Sequence, residues 1–186
     1  MQREELERLR DKVLDRLRND FRGVRREGGV SWSESYVIDD RGSREERYAA
    51  RQSDPVVNWV DLVHDGNWEF HGTGGLGFLD PIGLRYYLPP AMYRLAAEVT
   101  AGDGQGMMGM GVCWVLRLAG HGDPKHDAWC QAKFVLFNSR QRRCVQDFLR
   151  LMAAREKSQM FDEFGWAEPL ADWDEAWCAA GALTTD

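Results

Sequence analysis

Leu6, Leu9, Val13, Leu17 and Phe21 recur three or four residues apart through a charged stretch, the spacing of one apolar stripe on a helix. The pattern predicts an amphipathic helix over residues 3–21, broken by the segment GVRREGGV. A short extended piece, SWSESYVI, is expected next. Ser43 with Glu46 three residues later forms a capping box, and Asp54 before Pro55 offers an N-cap acid with proline at the first helical position. Two short helices follow from these signals, at about 44–53 and 55–63.

Pro90 can start a helix through AMYRLAAEVTA that Gly102 ends, with Met92, Leu95, Ala96 and Val99 on one face. The run AGDGQGMMGMG reads as a flexible connection. In GVCWVLRLAG and AWCQAKFVLF, apolar residues alternate at Val112, Trp114, Leu116 and Leu118 and at Cys130, Ala132, Phe134 and Leu136, which predicts a β-hairpin joined by GHGDPKHD. Trp114 and Trp129 then belong to the core. Asn138 or Ser139 can cap a helix over 140–156. Its inner face is Cys144, Val145, Phe148, Leu149 and Met152, and its outer face Arg140, Arg142, Arg143, Arg150 and Arg155. The stretch PLADWDEAWCAAGA reads as a last short helix. The fold class expected is α+β: a single domain, with helices from both ends of the chain packed on a small, mainly antiparallel sheet. Residues 1–157 form its compact part, and an acidic, Trp-rich segment, 158–186, packs on it.

Composition narrows the function classes. Apolar residues make up 44% of the chain and charged residues 29%, the balance of a globular protein. No window approaches the roughly 20 consecutive apolar residues that cross a bilayer, and MQREELERLR lacks a signal-type apolar core, so a cytoplasmic protein is expected. Cys113, Cys130, Cys144 and Cys178 form no CxxC pair and read as buried thiols. The net charge of −6 resides in the tail, since seven acids and no base follow Lys157. Such a tail repels nucleic acid. Its acids have two destinations, the arginines of helix 140–156 or a basic partner.

Candidate chemistry is sparse. GTGGLG, residues 72–77, fits Gly-x-Gly-x-x-Gly, but a dinucleotide fingerprint needs a strand before it and a helix after it, and FLDPIG follows instead. It reads as a tightly turning or flexible loop. His121, His126 and Cys130 lie near one another in sequence without the spacing of a metal motif, so no metal ligand is assigned. No nucleophile elbow, Walker loop or HExxH motif occurs; no catalytic residue and no cofactor are assigned. Trp166, Trp173 and Trp177 stand among Asp172, Asp174 and Glu175. Aromatics in an acidic setting suit either the core or an interface anchor.

FLDPIGLRYYLPPAMYRL resembles the FLD-x-x-G-x-x-YYLP signature of a family of uncharacterised bacterial proteins, a domain of unknown function. GVSWSESYVIDDRGSREERYAARQSD (29–54) with Trp59, and LFNSRQRRCVQDFLRLM, resemble further parts of that family in the same order, over residues 3–152. The resemblance implies no activity, cofactor or catalytic residue. Phe78, Asp80, Gly83, Tyr86, Tyr87, Leu88, Pro89, Gln141, Phe148 and Leu149 transfer as signature positions. The glycine-rich stretches look local to this chain, and the acidic tail lies outside the likeness. Physically, Asp80 can cap a turn begun by Pro81, with one of Tyr86 and Tyr87 turned inward and one outward.

Two functions lead, with metal binding through His121, His126 and Cys130 as a third possibility. The leading one is a non-enzymatic protein-binding module, an immunity-type or regulatory partner, that meets a basic protein through Trp166, Trp173, Trp177, Asp172, Asp174 and Glu175. The alternative is an enzyme or small-ligand binder with a pocket at Arg85, Tyr86 and Tyr87, joined by His64 or His71.

Overall fold

The computed structural model describes residues 3–54, 57–65, 74–100, 106–120, 122–158 and 164–178. Among them the chain is helical throughout and contains no strand: α1 Arg3–Asp20, α2 Trp32–Asp39, α3 Arg44–Ser53, α4 Trp59–Val63, α5 Gly74–Gly77, α6 Pro81–Ala97, α7 Gly106–Leu116, α8 Pro124–Ala132, α9 Ser139–Ser158 and α10 Ala167–Cys178. The expected α+β fold is therefore corrected to an all-helical one.

Three local readings account for that error. SWSESYVI is not extended but forms α2, because Ser31 and Glu34 make a capping box, each side chain bonding the other's backbone N–H. The Gly/Met run is not a connection from Gly106 onward; it is the first half of α7. The expected hairpin is α7 and α8. In α7 the buried residues Gly109, Val112, Cys113 and Leu116 follow the helical period, so Trp114 falls outside rather than inside. Asp123 and Pro124, read as a turn, cap α8 through Asp123 Oδ1 and the Lys125 N–H at 2.9 Å.

α6 occupies the centre. Asp80 caps it and Pro81 opens it, nine residues earlier than the start expected at Pro90. Pro89 and Pro90 lie inside the helix, where each removes one ladder hydrogen bond. Twelve of its 17 residues are buried, including both Tyr86 and Tyr87, so the expected inward and outward tyrosines both face inward. α1, α4, α5, α7 and α9 pack around it, α9 also packs on α1, and α10 covers α9. The inner face of α9 is as expected: Cys144, Val145, Phe148, Leu149 and Met152 are all fully buried.

Polar side chains join these helices. Asn138 caps α9 by accepting from Gln141 N at 2.9 Å. The buried Gln141 amide donates to Asp20 O at the end of α1 (3.0 Å) and accepts from Arg85 Nε on α6 (3.1 Å). Arg94 holds the end of α4 through the carbonyls of Leu62, Val63 and Asp65. Asp54, expected to start a helix, instead ends α3 and accepts from Ser33 N and Oγ at 2.7 and 2.6 Å. Residues 55 and 56 lie outside the described residues, and α4 is capped by Asn58.

The turn before α2 meets the start of α6 almost backbone to backbone. Asp80 Oδ1 accepts from both Val30 N (3.0 Å) and Gly83 N (2.7 Å). A Cβ on Gly83 would sit 2.4 Å from Val30 O, and one on Gly29 would sit 2.7 Å from Gly83 N. Gly83→Ala is expected to lower stability by about 1–3 kcal/mol in urea denaturation through this clash. Gly77→Ala, where a Cβ meets open space, is expected to change it by less than about 0.5 kcal/mol.

Candidate functional site

Two of the three tail tryptophans, Trp166 and Trp173, are core residues. Trp166 and Trp173 are 0% exposed. Trp166 stands edge-on to Phe148 at 5.7 Å, and Trp173 edge-on to Phe134 at 4.9 Å with its Nε1 donating to Leu116 O at 2.7 Å. The side chain of Trp177 lies outside the described residues. Asp172 accepts from Leu118 N (2.8 Å) and Ala119 N (3.0 Å), and Asp174 accepts from Arg150 at 3.0 Å. Glu156 on α9 accepts from Phe164 N and Trp166 N. α10 is thus stitched to α7 and α9, and a partner reaches Trp173 only by displacing it. Glu168 and Glu175 alone of its described acids are exposed, and Glu168 pairs with Arg117 at 3.0 Å.

Among the described residues Arg85, Tyr86 and Tyr87 each bond to a different part of the fold. Arg85 serves Gln141, and the Tyr86 hydroxyl donates to Val57 O at 2.7 Å, its pKa pushed up to about 12 by burial. Tyr87 packs against Trp32 at 5.6 Å, and its hydroxyl accepts from Arg26 at 3.3 Å. Arg26 in turn lines a cleft of about 300 Å³ between the turn before α2 and the end of α3. The glycine-rich loop has a packing role: a Cβ on Gly75 would lie 2.7 Å from the Trp32 ring. Residues 71–73, with His71, lie outside the described residues, as does His121. Among the described residues no group of three or more His, Cys, Asp or Glu side chains gathers as metal ligands would.

The exposed aromatics are elsewhere. Met107, Met110 and Trp114, at i, i+3 and i+7, form one apolar side of α7, and Trp114 is 59% exposed. Beside them a cavity of about 90 Å³ opens between α7 and α10, lined by Met110, Cys113, Trp114, Phe164 and Pro169 and rimmed by Arg117 and Glu168. On the other side of Trp114 a shallow basin of about 410 Å³ reaches Asp123 and His126. The His126 ring packs against Trp129, 52% exposed, at 5.5 Å. Lys133 Nζ sits 3.8 Å from the centre of the Trp129 ring and donates to Gly77 O. The strand reading of both segments hid this face by assigning its tryptophans to the core. The helical spacing of Met107, Met110 and Trp114 was the signal that could have found it.

Among the described residues the fold is a small helical bundle that carries an exposed apolar face on α7 and a charged cleft beside α3. The chain belongs to the family of unknown function DUF6714, which matches residues 9–177. The match runs through α7 and α10, so the glycine-rich run and most of the acidic tail fall within the family span. No match was found among the curated proteins or among the solved structures. Among the described residues no helix is long and apolar enough to cross a membrane.

Lys133 gives the face a titration. Burial pulls its ammonium from 10.5 down to about 8, against the Trp129 ring and the Gly77 carbonyl, which favour the charge. Between about pH 8 and 10.5 the unfolded chain holds the proton and the folded one does not, so stability rises with pH in that window. Urea midpoints across the window are expected to climb in wild type relative to Lys133→Met. Burial raises the neighbouring Cys130 thiol, an opposing slope that the Lys133 charge reduces, so both proteins are compared with Cys130→Ser in place.

Proposed function

We propose that this chain is a non-enzymatic protein-binding module that receives a basic amphipathic helix of its partner on the face built by α7 and the start of α10. The observation that carries the reading is the apolar side of α7, Met107, Met110 and Trp114, open to solvent beside a cavity sized for a single apolar side chain. Helix-in-groove recognition uses that spacing of anchors, and exposed Met and Trp are enriched where proteins meet. Charge complementarity sets the partner's sign. Glu168 borders the cavity, Glu175 lies about two turns farther along α10, and the whole chain carries −6.

This reading keeps the basic partner expected from the tail and moves its anchors from the buried Trp166 and Trp173 to Trp114 and Met110. Of the tail, Glu168 and Glu175 contribute. An immunity-type or regulatory role is the finer form of the same reading, supported by the small size and acidic balance of the chain.

The test compares wild type with Trp114→Ala and Glu168→Lys in pull-downs from cells of the source organism, followed by titration of the captured protein. Both replacements sit on the surface, so the circular dichroism spectrum is expected to stay unchanged. Trp114→Ala is expected to cost about 2 kcal/mol or more of binding, and Glu168→Lys to slow association and reduce its salt dependence. A stoichiometric partner that binds both variants as tightly as wild type would place the interface elsewhere.

A further inference from the structure

The second surface feature is the cleft of about 300 Å³ between the turn before α2 and the end of α3, independent of the α7 face. Its floor is Arg26, whose residue surface is 5% exposed. A guanidinium has five N–H donors. Arg26 makes two hydrogen bonds among the described residues, to the Tyr87 hydroxyl and to Asp54 O, each a long 3.3 Å. The Asp54 carboxylate stands 3.8 Å away, an ion pair outside hydrogen-bonding distance. A buried cation that spends two of its five donors among the described residues, both in long bonds, at the bottom of a cleft, is a poised anion acceptor.

The rest of the lining argues against a plain anion. Arg51, at one side, is held in a fork on Glu34 by two bonds of 2.7 Å and spends another donor on Gly28 O. Burial alone would raise the Glu34 carboxyl; the Arg51 and Ser31 donors outweigh it and hold the group below its ordinary value, so this pair stays charged and closed. Two carboxylates share the lining: Asp54, beside Arg26 and bonded to Ser33, and Glu27, exposed on a left-handed backbone at φ 44°. With Arg51 closed on Glu34, Arg26 is the open cation of the lining and Asp54 and Glu27 are its carboxylates. A simple anion meets Asp54 and Glu27, and a simple cation meets Arg26.

We propose that the cleft binds a small zwitterion, a molecule that carries a carboxylate and an ammonium a few bonds apart, as a free α-amino acid does. The carboxylate accepts from Arg26 at the floor, and the ammonium lies toward Asp54 beside it and Glu27 at the mouth. Gly28, where a Cβ would meet open space, leaves the wall without a side chain, so the ligand can approach the backbone there. The volume stands at the small end of ligand sites. This recovers the small-ligand alternative at a different address: Tyr87 touches the site only through Arg26, and Arg85 and Tyr86 are not part of it.

Calorimetric titration of the whole chain with each standard amino acid tests the inference, using as controls the N-acetyl form, which lacks the ammonium, and the amide, which lacks the carboxylate. One amino acid is expected to bind, and both of its controls to bind at least about tenfold more weakly. Glu27→Gln, on an exposed position, is expected to weaken the zwitterion at least about tenfold and leave the N-acetyl form unchanged. Arg26→Lys is expected to weaken both if it folds; if it does not, Glu27→Gln still decides. Trp114→Ala is expected to bind the zwitterion as wild type does, which separates this site from the partner face. The inference is overturned if no amino acid binds the folded protein, if the N-acetyl form binds as tightly as the parent, or if Glu27→Gln leaves the affinity of the zwitterion unchanged.

Discussion

A helix without a polar side has to be covered all the way round, and α6 is such a helix. Its buried residues include Leu84, Tyr86, Tyr87, Leu88, Ala91, Met92, Leu95 and Ala96, which point in every direction around the axis. α1, α4, α5, α7 and α9 supply the cover, and from that requirement the layout of the bundle follows. The two half-exposed arginines of α6 stay polar by bonding outward, Arg85 to Gln141 and Arg94 to the carbonyls ending α4. Two prolines in one helix interior each cost about 3 kcal/mol in a solvated helix. Each fully buried Leu or Met offsets about 1.5–3 kcal/mol, so a helix this deeply buried can carry them.

Long-range polar contacts in this protein run mainly from side chains to backbone groups at helix ends. Trp59 Nε1 bonds Phe21 O, Trp173 Nε1 bonds Leu116 O, and Asp172 accepts from Leu118 and Ala119. Helix ends leave unpaired N–H and C=O groups, and burying them without partners is costly. The tail therefore spends Asp172 inside the molecule. By contrast the Arg150–Asp174 pair is half exposed on both sides, worth at most about 1 kcal/mol. Burial of Trp166 and Trp173, rather than charge pairing with the arginines of α9, holds the tail in place.

The sequence showed α1, α3, α9 and α10 with nearly their observed limits, because each pairs a regular apolar stripe or a cap with an unambiguous period. It misled where both period and propensity were weak. α7 begins with three glycines in six residues, poor helix formers, and its Val-Cys-Trp-Val-Leu run reads equally well at period two. Burial against α5 and α6 decides for the helix. That one change inverted the tryptophans: Trp114 and Trp129, read as core, are exposed, while Trp166 and Trp173, weighed as anchors, are core. The cleft left no local signal at all. Arg26, Arg51 and Asp54 are brought together by folding, and the only trace in the chain was the Gly28-Gly29 turn between two charged stretches.

The two surfaces stand in opposite relation to stability. Trp114 leaves more than half its surface in water, so it adds little to the apolar burial that holds the bundle, and its loss acts almost wholly on whatever meets α7. Arg26 is embedded between Tyr87, Asp54 and the turn against α6, where removing the charge also removes partners from buried neighbours. An effect of Arg26 on function is therefore always mixed with an effect on folding. Glu27 resolves the mixture: it borders the same cleft from an exposed turn, so it reports on the ligand while the buried network stays whole.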